Sequence, residues 1–255
     1  MARIVKYVLR DILRSRFVLT YAVFLLAASL GLFHLGGEIS KGLVGLLSLV
    51  LLVVPLVCLV FGTIHFYNSY DFIELLAAQP IKRRSILMGQ YLGVAGALVA
   101  ALLVGVAVPV LLYAASATGF ILLGVGVALT VLFTAIAFLG AVATRDKARG
   151  IGLALLVWFY FALLHNGIML LVMLFFEEYP LEKPTMAMIA LNPIDLGRVI
   201  VLLHMDVSAM MGYTGALMKD ILGTATGISS AAGILVLWAA LPVLLSLRIF
   251  RKKDL

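Results

Sequence analysis

The sequence predicts an all-α integral membrane protein. Six transmembrane helices follow an N-terminal interfacial elbow helix, with a short polar helix between spans 2 and 3 and two amphipathic outer helices before the last span. Three observations carry this. Of 255 residues, 64% are hydrophobic and 12% charged, with a mean hydropathy of +1.20, whereas soluble domains are about a quarter charged. The apolar residues gather into six runs, each long enough to cross about 30 Å of hydrocarbon. The 19 Lys and Arg residues divide 15 to 4 between alternate links.

The charge split sets the orientation. The 15 basic residues fall in 1–16, 67–85, 145–150 and 248–255, and the four others are Lys41, Lys183, Arg198 and Lys219. Cytoplasmic loops are the Lys/Arg-rich ones, so both termini are expected in the cytoplasm of a multi-pass protein of the bacterial inner membrane. The net charge of +7 is thereby spent on topology rather than on a nucleic-acid face.

Residues 1–16 form the elbow. Arg3, Lys6, Arg10 and Arg14 line one stripe at about 100° per residue, with Ile4, Val5, Val8, Leu9, Ile12 and Leu13 opposite. A helix of this kind lies in the interface, cations toward lipid headgroups and apolar side chains toward acyl chains. The expected spans are 17–35, 42–66, 86–114, 119–144, 151–175 and 228–248, making one membrane domain over 1–255. Spans 1 to 5 occupy 17–175 and an extracytoplasmic helical segment covers 176–227. Pro109 should bend the long third span. The single Cys58 excludes an intramolecular disulfide and reads as a packing residue.

The link 67–85, YNSYDFIELLAAQPIKRRS, is the main polar interruption on the basic side. It reads as a short surface helix ended by Pro80 and followed by Lys82, Arg83 and Arg84. In the outer segment, Asn192, Pro193 and Asp195 supply an N-cap, a first-position proline and a first-turn acid, which start a helix over about 193–203. A second helix is expected after Asp206 or Ser208, broken at 223–227 by GTATG. Both should rest on the outer surface.

Several chemistries are missing. The sequence holds no GxSxG, HExxH or GxxxxGK[ST] motif, so if the protein uses ATP, the nucleotide sits on another chain. The spans show almost no ionisable residues, which disfavours an ion-coupled transporter. His165 and Asn166 in span 5 read as a hydrogen-bonded helix contact rather than a proton relay. His204, Met205, Met210, Met211 and Met218 would suit Cu(I), but adjacent His204 and Met205 point about 100° apart on a helix. Methionine as a gap-filler is the better reading.

The stretch LLAAQPIKRRSILMGQYLG at 75–93 resembles the loop between spans 2 and 3 of type-2 (ABC-2) ABC transporter permeases, through Leu75, Leu76, Pro80, Arg83, Ile86 and Leu87. In that family this loop is the coupling helix, which docks into a groove of a separate ATPase carrying the ATP and Mg. The resemblance implies ATPase contacts at Tyr70, Asp71, Glu74, Leu75, Gln79, Pro80, Lys82, Arg83 and Arg84. A second cytoplasmic contact falls at Arg145, Asp146, Lys147 and Arg149. Residues 148–164 and the NPxD segment at 191–200 resemble the NosY-type branch. That branch implies a homodimer carrying NosF-like ATPases and a periplasmic NosD-like β-helix protein, and a role with copper or sulfur species in copper-centre maturation of nitrous oxide reductase. Outer partner contacts would be Asn192, Pro193, Asp195, Arg198 and Asp206. The alternatives are an ABC-2 exporter of a lipid, drug or polysaccharide, and a non-transporting adaptor that relays ATPase motion. A hydrophilic cargo needs a polar path, and the apolar spans favour the adaptor.

Overall fold

A computed structural model describes residues 1–144, 146–176, 182–205 and 225–252, and all secondary structure in these residues is helical. Among the described residues, six helices are long and apolar enough to cross a membrane, and the chain is a multi-pass membrane protein. Helix α1 covers Ala2–Leu13 and α2, the first span, Arg16–Gly36. Helix α3 runs Ile39–Asn68 and the short α4 Tyr70–Ala77. Span 3 is α5 (Arg83–Leu102), a π turn (Leu103–Ala107) and α6 (Val108–Tyr113). Span 4 is α7, Ala117–Ala143. Span 5 is α8 (Lys147–Phe159), a second π turn (Tyr160–Leu164) and α9 (His165–Phe175). Helices α10 (Glu182–Leu191) and α11 (Pro193–Leu202) precede the last helix, α12, Ala225–Lys252.

The local causes are visible in the caps. Ser15 accepts from Val18 N–H at the start of span 1, and Ser116 from Gly119 N–H at the start of span 4. Gly37, at φ 68°, turns the chain from span 1 into span 2, a backbone region that suits glycine. In span 3 the bend expected at Pro109 takes the form of the π turn just before it. Proline has no N–H to give to the turn below, and the turn absorbs the mismatch. Pro55 and Pro242 lie inside α3 and α12 without ending them, as neighbouring helices in a membrane bundle allow.

Helix α1 turns part of its apolar face to protein: Val8 and Ile12 are buried, while Leu13 stays 37% exposed. The reason is a groove of glycines on α5. A Cβ on Gly89 would come within 2.6 Å of Ile4 Cγ2, and one on Gly93 within 2.6 Å of Val8 Cγ1. Small residues let two helix backbones approach closely. Arg3, Lys6, Arg10 and Arg14 stay exposed on the other face.

The outer segment differs more. Its helix begins at Pro193 with the expected Asn192 cap, but it does not rest on the surface. Helices α10 and α11 bend by 110° at residue 192 and form a hairpin. Pro193, Ile194, Asp195, Leu196, Gly197, Val199, Ile200 and Val201 of α11 are all buried. A Cβ on Gly197 would lie 2.8 Å from Val125 Cγ1 of span 4 and 3.7 Å from Leu51 Cδ2 of span 2. The upper end is tied where Thr118 Oγ1 donates to His204 O at 2.8 Å. Ten residues of α11 separate that end from the tip, so the tip lies about 15 Å down, near the middle of the bundle. The hairpin is re-entrant. The second expected outer helix, with Asp206 and Ser208, lies outside the described residues.

Candidate functional site

Two regions carry the polar chemistry. The first is the end of the bundle with the basic links, called the basic end below. Helix α4 is pinned there by Ile73, which is fully buried, and by a Tyr7–Phe72 ring stack at 5.5 Å that joins it to α1. Ile73 N–H donates to Ser69 O at 2.9 Å, so Ser69 both closes span 2 and opens α4. The other face is free: Asp71, Glu74, Gln79 and Pro80 are exposed, and Leu75 is 68% exposed. Leu75 is thus an open apolar side chain with the exposed carboxylates of Asp71 and Glu74 on the same short helix. Tyr70 is half-buried; Lys82 and Arg84 are exposed and Arg83 half-buried. Arg83 and Arg84 open α5, where the helix dipole works against cations.

The second basic link is fastened to the root of α4. Asp146 caps α8, accepting from Ala148 N–H at 2.7 Å. Lys147 Nζ donates to Asn68 Oδ1 at 2.8 Å, across the two links. Tyr67 bonds the Thr144 hydroxyl, and its ring lies so close to Gly150 that a Cβ there would meet it at 2.5 Å. Arg149 N–H lies 3.5 Å from Asp146 Oδ1, and its side chain is exposed. Arg145 lies outside the described residues. The links at 67–85 and 144–150 are therefore one braced surface.

The second region is the hairpin tip. Asp195, 4% exposed, receives a converging set of donors. Arg198 Nη1 donates to Oδ1 at 2.8 Å; Asn192 Nδ2 and His165 Nδ1 donate to Oδ2 at 2.6 and 3.2 Å. The amide orientation of Asn166 that satisfies both its ends turns its nitrogen to Asp195, 3.0 and 3.1 Å from the two oxygens. Asn192, fully buried, also accepts from Ile194 N–H through Oδ1 at 3.0 Å, and Nδ2 donates to Phe161 O at 2.9 Å. Trp238 of span 6 closes the other side by donating to Ala190 O at 3.0 Å. Non-helical backbone is tolerated at membrane depth only where protein supplies its partners, which is the arrangement here.

The spans themselves are nearly free of charge, as expected, yet the bundle holds a buried carboxylate. The carboxylate and guanidinium sit at mid-bundle because the hairpin carries them there. His165 and Asn166 do make a hydrogen-bonded contact, and its partner is Asp195. Asn192, Pro193 and Asp195, expected to face an outer partner, are interior, and Arg198 is partly exposed with a side chain at 38%. His204 Nδ1 donates to Ile200 O at 2.9 Å and Met205 is buried. Met210, Met211, Met218 and Asp206 lie outside the described residues. Cys58 is a buried free thiol in the core. The signal that could have joined the two halves of the tip is the pairing of HN in span 5 with NPxD, both rare polar groups in apolar surroundings.

The profile of the ABC-2 family transporter proteins matches residues 52–255. The chain belongs to that family. It is also 27% identical to the "Probable ABC transporter permease protein NosY" of Pseudomonas aeruginosa, over 97% of this chain and 96% of the relative. It is 27% identical to the protein of the same name in Stutzerimonas stutzeri, over 96% of this chain and 95% of the relative. The match to these permeases runs through both regions described above.

Proposed function

We propose that this chain is, over its full length, the membrane subunit of an ABC transporter whose ATP and Mg are bound by a separate ATPase, with α4 as the coupling helix. The basic end is then cytoplasmic, with both termini there. The observation that carries the reading is the exposed face of α4: Leu75 stands open, with Asp71 and Glu74 exposed on the same helix, while Ile73 anchors the helix from behind. The braced link at 144–150 supplies the second ATPase contact. The likeness to NosY-named permeases supports a homodimer with a periplasmic partner, acting in copper-centre maturation of nitrous oxide reductase through copper or sulfur species.

The test is co-purification. Leu75→Asp with Glu74→Lys changes only exposed side chains, so the permease should keep its elution volume in detergent and lose the ATPase. Undiminished co-purification would sink α4 as the coupling helix. A non-transporting adaptor is the second reading. The cleft of about 550 Å³ between spans 4, 6 and α11 is lined by apolar residues such as Ile121, Val125, Ala128 and Leu235, a lining that does not suit a hydrophilic cargo. Vesicles holding the purified complex separate the two: ATP-driven movement of copper rules out the adaptor, and movement of a lipid, drug or polysaccharide instead would identify an exporter of another cargo.

A further inference from the structure

We propose that the π turn of span 5 is a two-register joint, and that Asn192 and Asp195 are positioning residues holding it in one register. The inference rests on the coupling role proposed above and adds the route by which movement of α4 reaches the hairpin. In the π turn, His165 N–H donates to Tyr160 O, five residues back. In an unbroken α-helix it would take Phe161 O, four residues back. Phe161 O is instead occupied by the Asn192 side chain at 2.9 Å. The hairpin tip thus holds the acceptor that the α register needs.

The Phe161 carbonyl exchanges one partner for another between the two registers. In one, Phe161 O takes Asn192; in the other it takes the His165 amide. A change of one residue in register turns α9 by about 100° and shifts it by about 1.5 Å. That rotation carries His165 and Asn166 away from Asp195, so the carboxylate reports and biases the state of the turn. Both sides of the joint are gripped. Below it, α8 is fixed to the root of α4 through Lys147–Asn68 and the Tyr67–Gly150 packing. Above it, α9 is fixed to the hairpin through Asp195. A displacement of α4 therefore moves α8 as a rigid piece, and the turn converts it into rotation of α9 and release of the hairpin. A discrete element biased from both ends is what long-range coupling requires.

The experiment uses spin labels at Leu35→Cys and Phe175→Cys, positions 87% and 79% exposed at the end opposite the basic one. Cys58 is fully buried and stays unlabelled. Inter-label distances are measured in nanodiscs for the complex with its co-purified ATPase, without nucleotide and with ATP plus vanadate. Wild type should shift on ATP binding. Asp195→Asn should show the shifted distribution before ATP is added. Deleting Leu163, one residue of the turn, should leave ATPase binding and hydrolysis in place and reduce the ATP-driven shift to less than half. A shift of wild-type size in the deletion variant overturns the joint, as does a nucleotide-free Asp195→Asn distribution identical to wild type. If the deletion variant does not fold, the Asp195→Asn result decides. A wild-type complex that holds its ATPase but shows no shift also overturns the joint. Failure of any ATPase to co-purify with wild type overturns the coupling reading instead.

Discussion

Spans 3 and 5 are both interrupted by five residues of π-helix, Leu103–Ala107 and Tyr160–Leu164, yet their surroundings differ in kind. The turn in span 3 precedes Pro109, whose missing N–H makes an irregular turn cheap, and it packs on apolar groups of span 1. Gly105 is so close to that helix that a Cβ would lie 2.4 Å from Leu25 Cβ and 3.0 Å from Ala22 O. The turn in span 5 has no proline. Its cause is the hairpin, which takes the Phe161 carbonyl and gathers His165 and Asn166 around Asp195. The same backbone geometry arises once from the chain's own chemistry and once from a polar contact made across the fold. The first is a fixture; the second depends on a partner and can be undone.

Four substitutions press on this contrast. The largest effect is expected from Asp195→Ala, which strands Asn192 and His165 in the interior and takes the ion-pair partner from the partly exposed Arg198. It should cost about 3–5 kcal/mol, read as a lowered thermal midpoint in detergent. A loss no greater than that of an exposed-residue control such as Leu156→Ala would show that the cluster does not hold the span 5 turn. Next, Gly105→Ala forces spans 1 and 3 apart and should cost about 1–3 kcal/mol by the same measurement. An unchanged midpoint would mean the first turn has slack.

Asn192→Ala removes both the α11 cap and the bond to Phe161, and about 1–2 kcal/mol should go with them. Asn192→Ser keeps a capping oxygen and should recover part of it; no recovery would place the whole effect on the π turn. The smallest change is expected from Pro109→Ala. At the start of α6 the missing N–H is an orphan in any case, so stability should stay within about 1 kcal/mol. A larger loss would show that the span 3 turn depends on the proline alone, with no support from the packing of Gly105 on span 1.

Much of the architecture was legible in the residues. The six apolar runs predicted the spans to within a few residues, because length and hydropathy suffice where the solvent is a bilayer. The start of α11 was legible as well, since Asn192, Pro193 and Asp195 act on their own helix. Two placements were not. Helix α1 shows a surface-helix pattern, and only the glycine groove on span 3 explains why protein covers part of its apolar face. The α11 pattern also reads as amphipathic, and the side taken as polar holds Asp195, which is buried among donors from span 5.

What the sequence by itself determined is set by local chemistry and by the bilayer: helix count, caps, the basic links and the polar island at 67–85. What only the tertiary structure decided is where charge is stored. Asp195 and His165 are 30 residues apart, and no periodicity connects them. Their meeting depends on a hairpin that folds back into the bundle because Gly197 lets α11 lie against spans 2 and 4. The physical reason is that a buried carboxylate needs several donors at once, and one helix cannot supply them.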